Sequence, residues 1–235
     1  MKYAIIAAGD GARLAAEGIG VPKPLVEING EQMIDRLIRI FMQNGADEIV
    51  VICNEKATRV AQHLADIQSN GLKGNPVPLR FVVKSTPSSM HSFAEISRYV
   101  AGERFIMTTV DTIFPENEFS SFVDAFSHSS HSLFPVTGFA DDEKPLYVKT
   151  DGNLRITSFS DTDCHCPYVS AGIFGLMPDA LLTLAGCMER GESRMRNFQR
   201  ALLSEGHAIV AFPMSVVFDV DHASDIQKAQ SFLKS

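Results

Sequence analysis

Four residues near the start of the chain, Gly9, Gly11, Arg13 and Lys23, are of types and spacing that could do chemistry together. Glycine lets a backbone approach a ligand closely and turn its N–H groups inward, and two glycines one residue apart form a concave set of donors. Arg13 follows two residues on, and Lys23 lies between Pro22 and Pro24, so fixed positive charge reaches the same mouth. Donors and cations gathered this way suit a polyphosphate. A dinucleotide fingerprint would carry a third glycine three residues after Gly11, where Leu14 stands, so the nicotinamide reading fails on its own motif.

The elements that must position these groups are legible in the apolar pattern. Ala4, Ile5, Ile6, Ala7 and Ala8 form an unbroken small and apolar run, which suits a strand buried on both faces of a parallel sheet. Met33, Ile34, Leu37, Ile38 and Phe41 recur at helical spacing, which predicts a helix from near Glu31 that ends at Asn44-Gly45. Strands are expected at 48–53, 79–83 and 105–110, helices at 56–67 and 89–100, and a surface loop at 69–78. Past residue 126 the runs shorten: strands are expected at 133–139, 146–149, 154–159 and 168–176, with Asp151-Gly152-Asn153 as a hairpin turn. Helices at 179–188 and 194–204, strands at 208–213 and 215–218, and a last helix at 224–233 complete the chain.

This rhythm predicts an α/β fold, a doubly wound Rossmann-like sheet, mixed but mainly parallel, with a small β-rich lid. One domain is expected over 1–235, a nucleotide-binding half to about residue 126 and an acceptor-binding half after it. In such sheets a ligand lies beyond the carboxyl ends of the strands, where the glycine loop and Asp111 both fall.

Bulk properties narrow the class. The net charge is −7 and there is no long basic run, so nucleic acid is not an expected partner. No apolar stretch reaches membrane-spanning length, and Asp10 and Arg13 interrupt the first apolar run too early for a secretory signal; a cytoplasmic address is expected. Four scattered cysteines do not make a disulfide scaffold. Cys164-His165-Cys166 lacks a second Cys/His pair at zinc-site separation, so structural zinc is not expected there.

Taken together, the buried strand, Gly-x-Gly-x-Arg-Leu at 9–14, Pro22-Lys23-Pro24-Leu25 and Ile28-Asn29-Gly30 resemble the amino-terminal signature of the nucleotidyltransferases that join a nucleoside triphosphate to a sugar phosphate. Phe105 through Asp111 matches that family's apolar strand with a terminal metal-coordinating aspartate. Tyr168-Val169-Ser170-Ala171-Gly172-Ile173-Phe174 is similar to its Asn-Ala-Gly-Ile-aromatic strand beside the sugar, and Asp219-Val220-Asp221 with Asp225 is similar to its closing motif. The resemblance implies a nucleotide-diphospho-sugar transferase type of fold. It also implies nucleotide contacts from Ala7, Ala8, Gly9, Gly11, Arg13, Ser88 and Ser89, and acceptor contacts from Gly138, Ser170, Ala171 and Gly172. Arg13 and Lys23 are the implied catalytic cations and Asp111 and Asp219 the implied ligands of Mg²⁺. Two carboxylates ending neighbouring apolar runs would need a cation, and hard oxygens suit that metal. Alternatively, Asp221 could cap the last helix and Asp225 could sit in its first turn.

The implied reaction is in-line displacement at the α-phosphorus of a nucleoside triphosphate by a small phosphorylated acceptor. The acceptor phosphate is already largely dianionic at neutral pH, so no general base is needed, which accords with the lack of a His or Ser nucleophile in these motifs. Arg13 is assigned to the β- and γ-phosphates and Lys23 to charge near the α-phosphate. The chain departs from the family pattern at Ala12, where Thr or Ser is common, at Pro87 to His91 in place of a Gly-Thr-Ala pattern, and at Ser170 in place of Asn. Ser158-Phe159-Ser160-Asp161 replaces the Glu-Lys-Pro segment whose lysine grips the acceptor phosphate, leaving Lys144, Arg155, Arg194 and Arg196 as candidate substitutes. The acceptor could therefore be a sugar phosphate or a polyol or amino-alcohol phosphate. Two rival readings stay open: a nucleotide-sugar-dependent glycosyltransferase and a non-catalytic nucleotide-binding module. Neither the nucleobase nor an oligomeric state is encoded in the pattern.

Overall fold

The structure is a computed structural model and describes residues 1–139, 143–163 and 165–234. In chain order it runs β1 (Lys2–Ala7), α1 (Ala12–Ala16), a single 3₁₀ turn (Lys23–Leu25), β2 (Glu27–Ile28), β3 (Glu31–Gln32), α2 (Met33–Gln43), β4 (Glu48–Cys53), α3 (Thr58–Asn70), β5 (Leu79–Val83), α4 (Ser89–Val100), β6 (Phe105–Thr109), β7 (Thr112–Ile113) and α5 (Glu116–His128). The second half continues with β8 (Ser132–Thr137), β9 (Tyr147–Thr150), β10 (Ile156–Ser160), β11 (Tyr168–Ser170), β12 (Ile173–Leu176), α6 (Ala180–Glu189), α7 (Met195–Ser204), β13 (Ile209–Met214), β14 (Phe218–Asp219) and α8 (Ala223–Phe232).

The main sheet has the order β10-β9-β11-β8-β12-β6-β1-β4-β5, with β13 alongside β8. The long ladders, β1 with β4 and β6, β4 with β5, and β8 with β13, are parallel, while the shorter ladders of the second half are antiparallel. The expected mixed and mainly parallel sheet is thus observed, and its β-rich second half extends the same sheet edge to edge. β1 lies between β4 and β6, where the strand order reverses, and it is at such a point that open α/β sheets leave a crevice beyond their strand ends.

β1 is buried on both faces for the reason its composition gives. Tyr3, Ile5 and Ala7 face a core shared with α2, α3 and α5, whereas Ala4, Ile6 and Ala8 face one shared with α4, α6 and α7. The first core is ring-rich: Phe119 stacks on Phe114 at 4.8 Å and on Phe41 at 5.7 Å. A third, smaller cluster, including Leu14, Val26, Ile28, Met33, Ile113, Phe218, Val220 and Ala229, joins α1, the β2–β3 hairpin, the β7–β14 ribbon and α8 into one platform.

Several expectations shift. Glu31 does not start a helix but pairs with Ile28, because Asn29 (φ 53°) and Gly30 (φ 84°) form a tight hairpin turn of the kind Asn-Gly favours. The expected strand 168–176 breaks at Ala171-Gly172, where Gly172 takes φ 69°, and its second piece turns to pair with β6. α5 is a helix beyond the expectations, although Phe119, Phe122, Val123 and Phe126 at i, i+3, i+4 and i+7 announce it. The loop expected from residue 69 begins one residue after α3 ends at Asn70, and the 215–218 strand shrinks to Phe218–Asp219.

Candidate active site

The turn after β1 is held by one glycine more tightly than the other. Gly11 has φ 61°, and a Cβ there would meet the Lys23 Cβ at 3.2 Å, so both conformation and space require glycine. A Cβ at Gly9 would meet no atom within 4 Å, so neither space nor backbone conformation requires glycine there. The Lys23 ammonium, set on the 3₁₀ turn and largely buried, is clamped between the carboxylates of Asp111 and Asp221, the latter at 2.6 Å. Arg13 Nη1 reaches the other oxygen of Asp221 at 2.7 Å. Burial alone would lower the Lys23 pKa, but the Asp111 and Asp221 carboxylates outweigh it and hold it above the usual lysine value. Burial raises Asp221 in turn, and Lys23 and Arg13 overcome that to leave it below the usual carboxylate range.

Asp111 and Asp219 come near one another, but not as neighbouring strand ends of the main sheet. They flank a separate two-stranded ribbon in which Asp219 pairs with Thr112 and the Val220 N–H donates to the Asp111 carbonyl at 3.1 Å. Asp111 Oδ1 is buried with no hydrogen-bond partner in the structure. Asp219 keeps exposed surface, yet protein packed around its carboxyl, and next the charge of Asp111, push its pKa well above the carboxylate range. Two carboxylates in mutual repulsion, one with an unpartnered oxygen, form a set that a cation would relieve.

Two clefts meet here. The larger, of about 460 Å³, is lined by Ala7, Ala8, Gly9, Gly11, Arg13, Lys23, Ser88, Ser89 and Asp111, which brings together the residues expected at a nucleotide. The smaller, of about 100 Å³, is lined by Ser170, Ala171, Asp219 and Phe218 and shares Arg13 and Asp221 with the first. Gly138 and Gly172 line neither cleft; each sits one residue from a lining position, beside Phe139 and Ala171. Gly172 instead serves the backbone turn, its carbonyl accepting from the Thr108 hydroxyl at 3.3 Å. Ser170 Oγ donates to the Gln199 side chain at 3.1 Å.

Asp221 does not cap α8. Asp225 does that work, accepting from the N–H groups of Asp221 at 3.0 Å and His222 at 2.7 Å, and Asp221 is left free to serve as the anionic hub of Arg13 and Lys23. Glu17, at the end of α1, ties that helix to the start of α8 through His222 Nδ1 and the Ala223 N–H, each at 2.6 Å. Among the candidate acceptor-side cations, Arg196 pairs with Asp161 and donates to the Lys144 carbonyl at 3.0 Å, while Arg155 and Arg194 are exposed. Cys164 lies outside the described residues, and among those residues no group of His, Cys, Asp and Glu forms a metal cluster of three or more. No described helix is long and apolar enough to cross a membrane.

The chain has relatives among known proteins. Over 234 residues the chain is 24% identical to the bifunctional IPC transferase and DIPP synthase of Rubrobacter xylanophilus, covering 98% of this chain but 51% of that protein. A 66-residue stretch, 28% of the chain and 26% of the relative, is 32% identical to the glucose-1-phosphate cytidylyltransferase of Salmonella typhimurium. The chain therefore spans about half, or less, of the length of these curated relatives. Its fold superposes on the inositol-1-phosphate CTP transferase of T. maritima with a TM-score of 0.78 at 20% identity, covering 100% of this chain and 96% of that one. It superposes on a Bacillus anthracis protein assigned as a glucose-1-phosphate thymidylyltransferase with a TM-score of 0.85 at 18% identity, again over 100% and 96% of the two chains. The sequence model described as Nucleotidyl transferase matches residues 2–235, and the chain belongs to that family of nucleotidyltransferases.

Proposed function

We propose that this protein transfers a nucleotidyl group from a nucleoside triphosphate to a sugar phosphate, or a related polyol or amino-alcohol phosphate, and releases pyrophosphate. The observation that carries the reading is the Lys23 ammonium held between Asp111 and Asp221 on the floor of the glycine-loop cleft. Cytidine is the first base to test, since the Salmonella and T. maritima relatives are named as cytidylyl or CTP transferases.

In this reading the Ala8 to Gly11 backbone and the exposed Arg13 side chain receive the β- and γ-phosphates. A phosphate oxygen of the acceptor, entering from the smaller cleft, forms the new bond to the α-phosphorus as the bond to the bridging oxygen of pyrophosphate breaks. Lys23 moves from its carboxylate clamp to the charge that builds on the α-phosphate oxygens, and Asp221 keeps Arg13 and Lys23 within reach of one another. Asp111 and Asp219 would hold Mg²⁺, which when bound neutralises phosphate charge; the unpartnered Asp111 Oδ1 and the repulsion between the two carboxylates fit such an ion.

Pyrophosphate release tests the reading: the protein is mixed with each nucleoside triphosphate, Mg²⁺ and a panel of sugar, polyol and amino-alcohol phosphates. Release that requires both substrates supports transfer. Triphosphate binding with no acceptor-dependent release across the panel would favour a nucleotide-binding module, and activity on nucleotide sugars alone would favour a glycosyltransferase.

A further inference from the structure

The glycine loop carries an acidic residue at its centre, Asp10, between the two glycines whose backbone would face a triphosphate. A carboxylate there opposes phosphate binding unless it is held aside. Asn54, immediately after β4, holds it. The Asn54 side chain is 5% exposed, and its Nδ2 donates to Asp10 Oδ1 at 2.7 Å and to the Ala8 carbonyl at 3.1 Å. Its Oδ1 accepts from the Ser85 hydroxyl at 2.9 Å and from the Lys56 N–H at 2.9 Å. All four hydrogen-bonding capacities of the amide are used, and the Lys56 N–H, which can only donate, fixes which end is oxygen.

The amide thereby crosses three strand ends. Ala8 and Asp10 follow β1, Asn54 and Lys56 follow β4, and Ser85 follows β5. From Ser85 the chain passes into Thr86, whose hydroxyl bonds Ser92, and into Ser88, which caps α4; these residues line the far wall of the large cleft. One buried side chain thus links the phosphate loop to the opposite wall.

We propose that Asn54 is the positioning residue for the nucleoside triphosphate: it draws the Asp10 carboxylate out of the phosphate path and, through Ser85, sets the spacing between the phosphate loop and the lining residues 86–89. This inference rests on the proposed function, because it assumes that the large cleft takes a triphosphate.

The test uses calorimetric binding of each triphosphate with Mg²⁺, together with kcat and the KM of each substrate, on wild type and three variants. Asn54→Asp keeps the shape and the acceptor bonds to Ser85 and Lys56 but loses both donated bonds and sets a second carboxylate against Asp10. It weakens triphosphate binding about 10- to 100-fold with the acceptor KM little changed. Asp10→Asn alone removes the carboxylate that Asn54 holds and weakens triphosphate binding far less than Asn54→Asp does. The exchanged pair Asn54→Asp with Asp10→Asn restores the hydrogen bond with donor and acceptor reversed and recovers most of the lost affinity. A merely structural Asn54 would move thermal stability and both KM values together. Wild-type affinity in Asn54→Asp, or no recovery in the exchanged pair, overturns the inference while leaving the proposed function standing; a wild type that binds no triphosphate overturns both.

Discussion

The two clefts share Arg13 and Asp221 but are built differently. The large one is assembled from two stretches close in sequence, residues 6–14 and 23–24, closed by the end of β6 and by α4, and its charges are paired across elements far apart in sequence: Arg13 and Lys23 with Asp221, Lys23 with Asp111. The small one draws its lining from β11, β14 and the segments around them. Its lining residue Ser170 stands where the resemblance expects Asn, and Arg196, outside that lining, pairs with Asp161. Under the proposed function, the contrast separates a phosphate-binding cleft that follows the motif from an acceptor cleft that departs from it.

The sharpest way to break that contrast is Lys23→Ala. Loss of a preorganised charge that acts in the transition state lowers kcat/KM by about 100- to 1,000-fold, read by pyrophosphate release, with far-ultraviolet circular dichroism unchanged. Asp221→Asn comes next. It frees Arg13 and Lys23 from their shared anion and raises the triphosphate KM about tenfold, with a smaller change in kcat. On the acceptor side, Ser170→Asn alters acceptor KM or preference within about tenfold and leaves triphosphate binding as it was; an equal loss on both substrates would erase the distinction between the clefts.

The smallest expected effect is on pH dependence. Hydrogen bonding to Glu17 raises the pKa of His222 above 6.5, so its contribution is full below 6.5 and is lost as pH rises through the folded value. Glu17 is lowered below 4.5, first by the Ala223 N–H and then by His222, so its contribution is present above 4.5 and lost as pH falls through the folded value. The α1–α8 tie is therefore strongest between about 4.5 and 6.5. Both side chains are more than a third exposed, so solvent screens the pair, and a small fall in melting temperature on going from pH 6 to pH 8, absent in Glu17→Gln, is the expected sign.

How much of this was legible in the sequence follows from how local each signal is. The Gly9 to Lys23 site reads directly because its parts are consecutive and each residue type has one dominant use. β4, β5 and α4 read to their exact ends because each is a clean apolar run or helical face bounded by turn residues. Asp221 was harder: Asp-x-Asp offers two carboxylates that a strand sets on one face, and only the folded geometry shows that Asp219 pairs with Thr112 while Asp221 meets Arg13 and shares Lys23 with Asp111. Asn54 was illegible, since a lone Asn after a strand reads as a turn former, and its four bonds reach residues 8, 10, 56 and 85. The break at Ala171-Gly172 and the Asn29-Gly30 hairpin were visible in their glycines, but a continuous apolar or family pattern across them masked the signal.

The most direct test of the central claim, that the glycine-loop cleft takes a triphosphate together with Mg²⁺ at Asp111, is thermal unfolding of wild type and Asp111→Asn with each nucleoside triphosphate, with and without Mg²⁺. A ligand at 100 times its dissociation constant adds about 2.7 kcal/mol, a shift large enough to read. Triphosphate binding with Mg²⁺ at Asp111 requires a Mg²⁺-dependent stabilisation by one triphosphate that disappears in Asp111→Asn; stabilisation by nucleotide sugars alone, or by nothing, would contradict it.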